Sequence, residues 1–138
     1  MDKWSEIKDA LSSDLAGWGR DCCVSGAFLT RLPFPAVKGG GKKGRLGEAS
    51  RAFPLIGVVI GVIAGAALMI AAGLDLHPLA CAFIALGVSA LITGALHEDG
   101  LADVADGFGG GGTKTAKLKI MHDSRIGTYG VLAVIFSV

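Results

Sequence analysis

The chain has 138 residues, 51% of them hydrophobic and 18% charged, with a formal net charge of +1 and a mean hydropathy of +0.58. Soluble domains average about 25% charged residues, so the composition points to lipid as the main solvent. Near-zero net charge and few aromatic residues supply neither an electrostatic nor a stacking surface for nucleic acid, which is excluded as a partner.

Residues 1–21 mix acidic and basic side chains and contain no apolar stretch of the kind found in a cleavable leader. Trp4, Ile7, Leu11, Leu15 and Trp18 recur at helical spacing and predict a surface helix. Residues 22–30 are apolar but short, end at Arg31-Leu-Pro-Phe-Pro, and read as a re-entrant or interfacial segment. Residues 38–45 form a basic, glycine-rich loop. It lacks the Gly-Lys-Ser/Thr ending of a P-loop and reads as a solvated linker. The three cysteines, Cys22, Cys23 and Cys81, are odd in number and poorly spaced for a disulfide framework or a zinc site, and read as small apolar residues.

Two uncharged runs follow, 52–74 and 78–96. A helix of about 20 residues crosses a bilayer core, and both runs meet that length. The link Asp75-Leu76-His77 is so short that an antiparallel hairpin is expected. Gly57, Gly61 and Gly65 make a small-residue stripe suited to close helix packing. A third apolar run starts at Ile126 and is still running at Val138, a length of about 20 Å. The expected fold is all-α: a polytopic membrane protein with two full transmembrane helices, a truncated third and a re-entrant N-terminal segment. Residues 1–51 form a cytoplasmic or interfacial segment, 52–96 a transmembrane hairpin, 97–125 an acidic motif with its cytoplasmic loop, and 126–138 the start of another span. Together, residues 1–138 are expected to be the N-terminal part of one integral membrane domain. Nine Lys or Arg fall in residues 1–51, none in 75–77 and four in 97–125, so the basic segments are placed in the cytoplasm.

The chemistry lies just after the second run. Asp99, Asp103 and Asp106 stand at i, i+4 and i+7, on one narrow helical face. Like charges at this spacing oppose helix formation, and a divalent cation reverses that sign. Mg²⁺ prefers carboxylate oxygen and keeps positions open for substrate phosphates, so it is the expected cofactor. A solvated acidic face with Asp99 as a helix cap accounts for one aspartate but not for three. Zinc is disfavoured, because His97 is the only imidazole nearby. His97 reads equally as a proton acceptor or as an interfacial histidine. Glu98 points about 100° off the stripe and reads as solvated. Residues 108–113 read as a lid or a linker. Beyond them, Lys117, Lys119 and Arg125 are candidate phosphate partners, with Arg125 best suited to a two-pronged grip.

The motif His-x-Asp-Gly-Leu-Ala-Asp-x-x-Asp-Gly at residues 97–107 is followed by Ile-Met-x-Asp-Ser-Arg-Ile-Gly-Thr-Tyr-Gly at 120–130. Together they resemble the cobalamin synthase family, the adenosylcobinamide-GDP ribazoletransferases. Phe-Leu-Thr-Arg-Leu-Pro-Phe-Pro at 28–35 and Phe-Pro-Leu-Ile-Gly at 53–57 resemble the same family's opening blocks. Glu98, Lys119, His122 and the four-glycine run depart from its pattern. The resemblance implies a multi-pass enzyme of a bacterial or archaeal cell membrane, the inner membrane where there are two. It implies adenosylcobinamide-GDP and α-ribazole or its 5′-phosphate as substrates, and the lipid bilayer as surroundings. Asp99, Asp103 and Asp106 would hold Mg²⁺, Lys117 and Arg125 would contact phosphate, and Asp123 or His97 would take the proton of the attacking hydroxyl. Members of the family are about twice this length, so these residues alone are expected to insert in a membrane without catalysing the transfer. Two alternatives are a CDP-alcohol type phosphotransferase, which needs Arg after Ala102 where this chain has Asp103, and a divalent-cation transporter, which needs carboxylates deep in a span.

Overall fold

A computed structural model describes residues 3–40 and 44–137. Every regular element among them is helical. The chain divides into two compact units, Met1–Ile92 and Thr93–Val138.

The first unit opens with α1 (Lys3–Leu29), one continuous helix where the sequence reading separates a surface helix from a re-entrant segment. Its glycines cost some helix propensity but do not stop it, and it ends just before Arg31-Leu-Pro-Phe-Pro, as expected. A short helix α2 (Arg45–Ala49), a 3₁₀ turn (Ser50–Ala52) and α3 (Phe53–Gly73) follow in close succession. Gly41, Lys42 and Lys43 of the basic loop lie outside the described residues.

The second half of α1 packs on α2 and on the start of α3. The Ser25 hydroxyl, fully buried, donates to the Ala49 carbonyl at 2.8 Å. Leu29, Ile56 and Ile60 form a small apolar core, joined by Phe34, Phe53 and Ile92. The buried Asp21 carboxylate accepts from both Arg45 and Arg51 and fastens α1 to the segment leading into α3. The Arg51 guanidinium also lies over the Trp18 ring, 4.5 Å from its centre.

Arg45–Gly73 is the one helical stretch among the described residues that is long and apolar enough to cross a membrane, and its most apolar 18-residue window has a mean hydropathy of 2.7. Only 11% of its most apolar window is buried within the chain. The core helix of a water-soluble protein is buried instead. Here Val58, Val62 and Met69 stand open, a surface that in water costs about 25 cal/mol per Å².

The second apolar run gives α4 (Pro78–Thr93), 16 residues rather than the expected 19. The helix stops because Gly94 and Ala95 both take positive φ, and it reaches spanning length only if counted with the next helix. The end of α4 returns to the start of α3, where Ile92 joins the apolar core and its carbonyl accepts from Arg31 N–H at 2.7 Å. Between these ends, methyl groups added at Gly57, Gly61 or Gly65 would meet nothing within 4 Å, so the small-residue stripe packs against no described element.

The second unit holds α5 (Leu96–Gly110), α6 (Lys114–Met121) and α7 (Thr128–Ser137), with α5 packed against both of the others. Residues 108–110 complete α5, and only Gly111-Gly112 precede the cap Thr113, whose hydroxyl accepts from Ala116 N–H at 3.2 Å. The glycines are here for close approach. A methyl on Gly107 would sit 2.7 Å from Met121, one on Gly109 would collide with the Tyr129 ring, and one on Gly111 would sit 2.7 Å from the Gly107 carbonyl. The segment read as lid or linker is therefore a packed helix end.

Candidate active site

Asp99, Asp103 and Asp106 all lie on α5, as their spacing predicts. Glu98 and Asp99 occupy its first turn, where the exposed N–H groups and the helix dipole favour negative charge. The three aspartates do not share one environment, however. Asp99 and Asp103 line a cavity of about 540 Å³ whose opposite wall is the segment between α6 and α7, with His122, Asp123, Ser124 and Arg125. Asp106 is 8% exposed and faces the start of α7. Its Oδ2 accepts from Gly127 N–H at 2.6 Å and its Oδ1 from Gly130 N–H at 2.8 Å. It borders a neighbouring hollow shared with Asp123, Arg125 and Tyr129.

Glu98, read as solvated, is half-buried and lines the same cavity as Asp99 and Asp103. Its Oε2 is enclosed without a hydrogen-bond partner among the described residues. A buried carboxylate oxygen without a donor is costly, and a cation relieves that cost. Its neighbours on the α5 wall, Asp99 and Asp103, offer carboxylate oxygen, which suits Mg²⁺; the one imidazole, His122, stands on the opposite wall, and no cysteine lines the cavity for zinc. No three His, Cys, Asp or Glu side chains among the described residues gather closely enough to form a complete metal cage. Mg²⁺ does not require one, because it is commonly held by one or two carboxylates together with substrate phosphates.

Asp123 and Arg125 form a two-pronged pair. Arg125 Nη2 donates to Asp123 Oδ2 at 2.8 Å, and Arg125 Nε to Oδ1 at 3.1 Å. These side-chain bonds, reinforced by the Arg125 backbone N–H, hold the Asp123 carboxyl at about 2, below its usual 3.8. The same bonds raise the Arg125 guanidinium. Arg125 is exposed, and an exposed pair adds little stability, so the guanidinium can exchange this carboxylate for a phosphate at small cost.

His122, which the sequence reading passes over as a site residue, caps the end of α6. Its Nδ1 lies 2.6 Å from the Leu118 carbonyl, which can only accept, so Nδ1 is the donor and, of the two neutral tautomers, the bond selects the one with its lone pair on Nε2. The other expected site residues stand apart from this cavity. His97 is exposed and not on its wall. Lys117 turns its ammonium onto the Phe108 ring, 4.0 Å from the centre, beside a separate hollow. The arrangement is a carboxylate wall facing an arginine, able to hold a polyanion through a bridging cation on one side and directly on the other.

The sequence pattern of the cobalamin-5-phosphate synthase family matches residues 21–138. The chain belongs to that family. Among curated members, the adenosylcobinamide-GDP ribazoletransferase of Rhizobium etli strain CIAT 652 is 56% identical over 111 residues, 80% of this chain and 43% of the relative. The enzyme of the same name from Sinorhizobium sp is 50% identical over 117 residues, 85% of this chain and 45% of the relative. That of Brucella ovis is 50% identical over 115 residues, 83% of this chain and 44% of the relative. The chain thus spans less than half the length of the cobalamin synthases it matches. No solved structure matches it.

Proposed function

We propose that this chain carries the phosphate-handling part of a multi-pass membrane enzyme that uses Mg²⁺ to move the adenosylcobinamide phosphate group from adenosylcobinamide-GDP to α-ribazole or its 5′-phosphate, releasing GMP. Membership in the family carries the reading, and the cavity between Asp99, Asp103 and Arg125 supports it. The reaction joins a ribazole hydroxyl oxygen to the cobinamide phosphorus, breaks the bridging P–O bond to GMP and frees one proton. Such transfers require positioning and charge neutralisation more than covalent help.

Asp99 and Asp103 would hold Mg²⁺, with Glu98 beside them. When bound, the ion neutralises the phosphates and the departing GMP. Arg125 leaves Asp123 to grip a phosphate oxygen in two-pronged fashion. While paired with Arg125, Asp123 is held near 2 and is a weak proton acceptor; its part is to hold Arg125 at the cavity wall until substrate arrives. The Nε2 lone pair of His122 is the acceptor on the cavity wall. On this reading the site is at the cytoplasmic face, which the basic residues around the motif support.

Replacing Asp103 with Asn in the enzyme reconstituted in lipid tests the reading. GMP release from adenosylcobinamide-GDP plus α-ribazole should fall at least about 100-fold, consistent with the loss of a charge-stabilising group. Mg²⁺ demand should rise while membrane insertion stays normal. Near-normal turnover at limiting Mg²⁺ would remove Asp103 from the metal site.

A further inference from the structure

We propose that Asp106 is a positioning residue. Its carboxylate clamps the segment carrying Asp123 and Arg125 against α5 and leaves metal binding to Asp99 and Asp103. The metal half of this statement rests on the function proposed above; the clamp does not.

Sequence spacing treats the three aspartates as equivalent, but the hydrogen bonds separate them. Both oxygens of Asp106 accept backbone N–H groups at the start of α7, Gly127 at 2.6 Å and Gly130 at 2.8 Å. The first N–H groups of a helix have no partner within it, so a carboxylate there satisfies two orphan donors and meets the positive end of the dipole. Both are hydrogen bonds to an ionised acceptor, the stronger class.

The carboxylate is also enclosed. Asp106 is 8% exposed, and a methyl on Gly127 or Gly130 would collide with its oxygens. The two glycine Cα atoms therefore lie directly against it. Asp106 borders the hollow beside Asp123 and Arg125, but both of its oxygens are already taken by the two glycine N–H groups, whereas Mg²⁺ needs free carboxylate oxygen at about 2.1 Å. Moving Asp106 to a metal would strand two backbone donors. Asp99 and Asp103, seven and three residues earlier, line the cavity next to Glu98 instead. Gly127 follows Arg125 by two residues, so fixing its N–H fixes where Asp123 and Arg125 stand.

The test uses the reconstituted protein and the variants Asp106→Asn, Gly127→Ala and Asp103→Asn. Mn²⁺, as a spectroscopic stand-in for Mg²⁺, is titrated by electron paramagnetic resonance, and amide hydrogen exchange is followed at Gly127 and Gly130. In Asp106→Asn the amide side chain keeps only one acceptor oxygen. Exchange at one or both glycines should quicken about tenfold or more, as loss of a hydrogen bond to a charged group implies, while Mn²⁺ affinity changes little. Asp103→Asn should do the reverse, weakening Mn²⁺ binding about tenfold or more with exchange unchanged. Gly127→Ala keeps Asp106 but pushes the segment away, so it should behave like Asp106→Asn and decides the matter if that variant fails to fold. Turnover gives a third reading. Combined with Arg125→Ala, Asp106→Asn should add little further loss, because both act through the same guanidinium. Unchanged exchange in Asp106→Asn, a Mn²⁺ loss equal to that of Asp103→Asn, or fully additive losses with Arg125→Ala would each overturn the proposal. If no variant alters Mn²⁺ binding, the metal reading fails while the exchange data still decide the clamp.

Discussion

At the scale of single residues, the aspartates were legible because i, i+4 and i+7 spacing fixes a common helical face. Their division of labour was not, because the partners of Asp106 lie 21 and 24 residues further along the chain. Glu98 shows the same limit. Its angle on an isolated helix points to water, but the segment between α6 and α7 supplies a second wall that covers it. The Asp123–Arg125 pair gives a pH prediction. The folded-state pKa of Asp123 lies below its unfolded value, so what the pair contributes is present above pH 3.8 and is lost as pH falls through about 2. A carbon NMR titration of the Asp123 carboxyl should show a midpoint near 2, returning toward 3.8 in Arg125→Ala. A midpoint near 3.8 in the unmodified protein would show that the pair does not form in solution. With the midpoint near 2, a loss of activity between pH 4 and 6 comes from another group.

At the scale of elements, composition locates the apolar runs well and their ends less well. The helix α3 begins and ends within one residue of the uncharged run that predicts it. The second run breaks early at Ala95, which adopts φ 58. Nothing in an alanine signals that conformation, which costs roughly 1–2 kcal/mol and must be held by its surroundings. The glycine run of residues 109–112 misleads in the opposite way, since glycine suggests mobility and here serves close packing. Gly111→Ala should be the most disruptive change in the run, because its methyl would meet backbone atoms, the Gly107 carbonyl at 2.7 Å and Lys117 N at 2.8 Å. Overpacking of this kind costs about 1–3 kcal/mol. Gly112→Ala meets nothing within 4 Å and should be near neutral. Thermal unfolding of the two variants in detergent compares them directly. Equal melting temperatures would mean that the helix end is loose, as a lid would be.

At the scale of the whole molecule, the strongest expectation concerns sidedness. The segment Arg45–Gly73 places Arg45 and Arg51, clasped by the buried Asp21, at its start, and the turn at Asp75 follows its end. The 21 residues of α3, at about 1.5 Å each, match a hydrocarbon core of about 30 Å. Arginines resist entry into lipid, so Asp75 should lie across the membrane from them. The basic residues concentrate before α3 and again between α5 and α7, with none in the turn at 75–77, so the positive-inside rule leads to the expectation that the arginine side and Asp99 are cytoplasmic. A nucleotide-linked phosphate substrate, too charged to cross a bilayer, would meet the carboxylate wall on that side. Single cysteines at Asp75 and Asp99 test the arrangement, in a background where Cys22, Cys23 and Cys81 are replaced by alanine. A membrane-impermeant maleimide added outside intact cells should label Asp75→Cys at once and Asp99→Cys only after the membrane is opened. Labelling of both from the same side would mean that the 16 residues of α4 do not carry the chain back across the bilayer, and would remove Asp99 from the cytoplasmic face.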